Sequence, residues 1–83
     1  MINIAICDDE KYILDKIKML VFDFFHRKNV EITVSQFGSG EELLRHNKNI
    51  DILFLDIQMD GIDGIETAMK MRSQNYKGYL IFI

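Results

Sequence analysis

The sequence predicts an α/β domain in which a parallel sheet carries helices on both faces. Three observations point there. Short apolar runs rich in β-branched residues alternate with stretches whose apolar positions recur every three or four residues. The run at residues 50–55 is almost continuously apolar, as a central strand covered on both faces must be. The order strand, helix, strand, helix, strand, helix, strand then implies parallel pairing through right-handed crossovers.

Residues 2–7 (Ile-Asn-Ile-Ala-Ile-Cys) are too short for a helix and are stopped by Asp8 and Asp9, so they form a buried strand. From residue 10 to 28, Ile13, Ile17, Leu20 and Phe24 step along one side, widened by Leu14, Val21 and Phe25. Lys11, Asp15, Lys16, Lys18 and Asp23 fall mostly on the other, which predicts an amphipathic helix. Asn29 breaks it. Val30, Ile32 and Val34 then alternate with Glu31 and Thr33 up to Phe37, which predicts a half-polar strand near a sheet edge. Ser39 followed by Glu42 has capping-box spacing and opens a short helix that turns Leu43 and Leu44 inward and ends near Asn47.

Residues 50–55 follow as the central strand, interrupted only by Asp51 and closed by Asp56. Residues 58–64 form a loop with two glycines, and Asp63 with Glu66 caps a third helix carrying Ile65, Ala68, Met69 and Arg72. Asn75 and Gly78 mark its end, and residues 79–83 open a fourth buried strand. An ending inside an apolar strand reads as the amino-terminal part of a larger α/β domain.

Eighty-three residues allow one small domain. A 48% hydrophobic content is too high for a disordered chain. The net charge of -3, without a basic block, argues against direct nucleic-acid contact by this segment. No apolar run approaches the ~20 residues of a membrane-spanning helix. The early acids make a secretory leader unexpected. With Cys7 as the one cysteine, a disulfide framework is excluded and a cytoplasmic setting expected. Cys7 reads as a small core residue and the Phe22, Phe24, Phe25 group as mostly core. His26 and His46 read as solvent-facing groups near helix ends.

Asp8 and Asp9 end the first strand and Asp56 the third. If those strands are neighbours, three carboxylates meet at the carboxyl edge of the sheet, where open α/β sheets bind ligands. Such a cluster repels itself unless protonated or bridged by a cation. Oxygen-only donors favour a hard divalent ion, and few protein ligands favour Mg²⁺, with the Gln58 backbone carbonyl as a fourth oxygen. The competing reading is that each aspartate is a turn residue or helix cap.

The blocks Ile4-Ala5-Ile6-Cys7-Asp8-Asp9-Glu10 and Leu53-Phe54-Leu55-Asp56-Ile57-Gln58-Met59-Asp60-Gly61-Ile62-Asp63-Gly64 together resemble the receiver domain of two-component response regulators. The wording is similar to regulators whose receiver precedes a LytTR DNA-binding domain. The resemblance implies a flavodoxin-like, doubly wound sheet of order 2-1-3-4 over residues 1–83, lacking the fifth strand and the last two helices. It implies that Asp56 is the phosphoacceptor, that Asp8, Asp9, Asp56 and the Gln58 carbonyl hold Mg²⁺, and that a histidine kinase is the donor, docking on the first helix. It makes the chain a signalling module controlling a transcriptional output domain outside this sequence, not an enzyme.

The family's Pro after the loop Met is replaced here by Asp60, which changes loop stiffness and adds charge. The family's phosphate-sensing Ser or Thr and its Lys fall beyond residue 83. Two rivals are a receiver-like association fragment that is never phosphorylated, and a Mg²⁺-dependent aspartyl phosphohydrolase. The latter places its nucleophile at the first strand with a second acid two residues on, a spacing that adjacent Asp8 and Asp9 do not match. With the fourth strand at a sheet edge, residues 79–83 are also expected to promote self-association.

Overall fold

A computed structural model describes residues 1–46 and 49–83. Its elements run β1 (Ile2–Cys7), α1 (Lys11–Arg27), β2 (Ile32–Phe37), α2 (Gly40–Arg45), β3 (Ile52–Leu55), α3 (Gly64–Ser73) and β4 (Tyr79–Phe82). The four strands form one sheet of order β2-β1-β3-β4, every pair parallel, as the sequence predicts. Asn47, the expected end of the second helix, lies outside the described residues; α2 itself stops at Arg45, with His46 as its cap.

Strand parity sorts the core into two layers. Ala5, Cys7, Leu53 and Leu55 point to one face, where Leu43 of α2 and Met71 of α3 close over them. Ile4 and Ile6 point to the other face and are fully buried beside α1. The inward positions of α1 are Leu14 and Val21, flanked by half-buried Ile13, Ile17 and Phe25. Leu20 and Phe24, placed in the stripe by spacing, are exposed, as is Phe22. The apolar arc of this helix is wider than its contact with the sheet, so periodicity alone misplaces the centre of the buried face.

The expectation that β3 is covered on both faces holds for one of them. Leu53 and Leu55 are fully buried, whereas Ile52 and Phe54 are half-buried. A helix about 10 Å wide spans roughly two strands spaced about 4.8 Å apart, and α1 lies over β1 and β2. The α1-side surface of β3 and β4 is thus only partly covered, leaving Tyr79 and Ile81 exposed; Phe82 and Ile83 are exposed as well, so the fourth strand is not the buried one expected.

The caps follow the sequence with one shift. The Glu42 N–H donates to Ser39 Oγ at 3.1 Å, but the Glu42 carboxylate accepts from the Gly38 amide at 2.8 Å rather than from the cap residue's own. Asp63 caps α3 by accepting from the Glu66 amide at 2.8 Å. His46 packs edge-on against Phe37, its ring centre 4.8 Å away, and so is not a free surface group. Leu53→Ala should cost about 2–5 kcal/mol because it opens a cavity beneath two helices. Leu20→Ala should stay within about 0.5 kcal/mol. Urea denaturation of both variants measures the contrast.

Candidate functional site

The site is a product of register. Cys7 pairs with Leu55, so the next residue of each strand, Asp8 and Asp56, emerges at the same edge. The ladder continues one step past both strands: the Asp56 amide donates to the Cys7 carbonyl and the Asp8 amide to the Phe37 carbonyl, each at 3.0 Å. Asp9 follows at the turn into α1. One carboxylate oxygen from each of Asp8, Asp9 and Asp56 lies within 4.8 Å of the other two. The structure therefore brings the three predicted acids together.

Their environments differ. Asp8 is buried, Asp56 half-buried and Asp9 exposed. Asp8 Oδ1 accepts from the Glu10 amide at 2.9 Å, so this residue also organises the entry to α1. Burial pushes the Asp8 carboxyl above the ordinary aspartate range; the Glu10 amide opposes the shift, and the charges of Asp56 and Asp9 add to it. At such separations each pair of carboxylates repels by about 1–3 kcal/mol, between the dielectric of bulk water and the effective one near a protein surface. That is a large fraction of a small domain's stability. A hard divalent cation fits the all-oxygen donor set and offsets this repulsion.

Gln58 also reaches the site, through its amide. Its N–H donates to Asp56 Oδ1 at 3.4 Å, holding the acceptor carboxylate from the loop side. Below the acids, the Cys7 thiol is buried and 3.7 Å from Met59 Sδ. Burial first, then the acids Asp8, Glu42, Asp56 and Asp9, pushes the thiol up to about 12, so it stays protonated and unreactive at neutral pH.

Four contacts shape the loop after β3. Met59 packs into the core, and the Gly64 amide donates to the Ile57 carbonyl at 2.7 Å. A Cβ on Gly64 would overlap the Asp56 carbonyl oxygen, so glycine is required there for α3 to start beside the strand end. Glu41 of α2 accepts from the Ile62 amide at 3.3 Å. The Asp60 amide donates to Asp9 Oδ2 at 3.1 Å. Nothing in the periodicity announces the Glu41 contact. The Asp60 contact has one visible signal: the absence of proline leaves an N–H to donate.

Comparison with known proteins agrees with this geometry. The family model described as response regulator receiver domain matches residues 4–83. The heme response regulator HssR of Staphylococcus epidermidis is 38% identical over 74 residues, covering 87% of this chain and 30% of its own. The sensory transduction protein LytT of Oceanobacillus iheyensis is 33% identical over 75 residues, covering 88% of this chain and 29% of its own. The chain thus spans less than a third of the curated relatives it matches. The solved structure of response regulator TrrA from Thermotoga maritima in complex with Mg²⁺-BeF is 28% identical with a TM-score of 0.75, over 99% of this chain and 68% of that one.

The Asp8 shift has a testable sign. A carboxyl whose folded value exceeds its unfolded one favours the fold fully below the unfolded value, here near 3.8, and loses that contribution as pH rises through the folded value. In chelator at pH 7, Asp8→Asn should therefore raise the thermal midpoint by a few degrees, since asparagine keeps the bond from Glu10. The gain should disappear in acid, and excess Mg²⁺ should reverse the order of the two proteins in the same melts.

Proposed function

The chain belongs to the response regulator receiver domain family, and from that membership we propose that Asp56 accepts a phosphoryl group from a partner histidine kinase. The observation that carries the proposal is the convergence of Asp8, Asp9 and Asp56 from two strand ends within 4.8 Å. Asp8, Asp9, Asp56 and the Gln58 backbone carbonyl are the residues we assign to Mg²⁺. The bound ion supplies neutralisation of the phosphoryl oxygens and of the carboxylates facing them.

The chain's own residues do the remainder. An Asp56 carboxylate oxygen attacks the phosphorus of the kinase's phosphohistidine. The phosphorus–nitrogen bond breaks, its electron pair returns to the imidazole, and that nitrogen takes up a proton. The product is an acyl phosphate on Asp56. The Gln58 N–H orients the attacking carboxylate from the loop side. Asp8 and Asp9 gather the negative charge that makes cation binding a precondition of the anion's approach.

The kinase-docking surface we assign to α1, which exposes Leu20, Phe22 and Phe24 to solvent. A transcriptional output of the LytTR kind is supported by the wording of residues 56–64 and by the similarity to LytT. Among the described residues no helix is long and apolar enough to cross a membrane, in keeping with a cytoplasmic acceptor. Incubation with Mg²⁺ and a small acyl phosphate, followed by intact-mass measurement, should show the gain of one phosphoryl group. Asp56→Asn and excess chelator should each abolish it. A gain that survives in Asp56→Asn would assign the acceptor elsewhere.

A further inference from the structure

Between the Met59 anchor in the core and the Ile62 amide held by Glu41, one backbone donor reaches back across the chain to the acids. The Asp60 N–H donates to Asp9 Oδ2 at 3.1 Å, joining residues 51 apart in sequence. Asp9 is the most exposed of the three acids and, among the described residues, this is the one hydrogen bond recorded to its carboxylate. Asp8, by contrast, is held by the Glu10 amide, and Asp56 by the Gln58 amide. Each acid is thus oriented by a single backbone N–H, and two of those three donors come from the loop after β3.

We propose that the backbone N–H of Asp60 is a positioning donor for the cation site: it occupies one oxygen of Asp9 and leaves the other available beside Asp8 and Asp56. The inference rests on the reading of these three residues as a Mg²⁺ site. Its physical basis is that an exposed side chain samples several rotamers, and a charge-assisted bond from a fixed amide removes that freedom before the ion arrives. Loss of an outer-shell partner of a metal ligand typically costs about 10–100-fold in metal affinity or activity, so the effect is large enough to measure.

The residue type at this position bears on the proposal. A proline at residue 60 has no N–H and cannot make the bond, whereas every other residue can. The Asp60 side chain is a separate matter, since its charge attracts cations without orienting anything. Asp60→Ala removes the charge and keeps the donor; Asp60→Pro removes both. The difference between these two variants isolates the amide.

Mg²⁺ is titrated calorimetrically into the wild-type protein and both variants, with circular dichroism confirming the fold of each. The expected result is a change within about 3-fold for Asp60→Ala and binding about 10-fold weaker still for Asp60→Pro. Equal affinities for the two variants overturn the proposal. An amide-resolved NMR spectrum gives an independent readout that does not depend on the proline variant folding. In the metal-free wild type the Asp60 amide proton should lie downfield and exchange slowly, and Asp9→Ala should move it upfield and speed its exchange. An Asp60 amide indifferent to Asp9→Ala overturns the proposal even if the affinities differ. Wild-type protein that binds no Mg²⁺, with an Asp60 amide that does respond to Asp9→Ala, refutes the cation-site reading and with it the role assigned to the donor.

Discussion

The pairing of β1 with β3 is the constraint on which the rest of this molecule depends. With Cys7 opposite Leu55, two strands that contribute only apolar side chains to their shared ladder deliver Asp8 and Asp56 to one place. A slip of one residue would turn Leu53 and Leu55 away from α2 and α3 and withdraw Asp56 from its partners. The same burial that stabilises the sheet therefore fixes the position of the acids. Hydrophobic packing holds together charges that would otherwise separate, and the resulting repulsion is what a bound divalent cation would relieve.

The loop after β3 translates that constraint into a shaped site. It is fixed at three points: Met59 packs into the core, Gly64 lies against the Asp56 carbonyl, and Asp63 caps α3. Its middle presents backbone amides to carboxylates, Gln58 to Asp56 and Asp60 to Asp9. Glu41 ties the same loop to the start of α2, whose Gly40 lies against Thr67 of α3. The loop beside Asp56 is thus joined to two helices, so on the proposed reading a change of charge at Asp56 would act on both.

Much of this was legible in the residues. The parallel strand order, the edge position of β2 and the three convergent acids follow from apolar runs that stop abruptly at aspartate. The caps at Ser39 and Asp63 follow from side chains whose acceptors suit a helix start. Other features depend on tertiary contacts that periodicity does not encode. Leu20 and Phe24 share the apolar arc of α1 yet face water, because the helix packs mainly over β1 and β2. Glu42 reaches the Gly38 amide instead of its cap residue's own, a choice of partner that the capping-box spacing does not specify. The Glu41 and Asp60 contacts join parts of the chain 21 and 51 residues apart, and only the folded loop brings them together.

The central claim is that the β1–β3 register, with the loop after β3, brings Asp8, Asp9 and Asp56 together as one cation site. Its most direct test replaces Mg²⁺ with substoichiometric Mn²⁺ and follows paramagnetic broadening of the backbone amides. The account predicts that signals of residues 8, 9 and 56–60 vanish first, while those at the opposite edge of the sheet, such as Asp51 and Gly78, persist. Broadening centred on any other group of acids, or spread evenly over the chain, would contradict it.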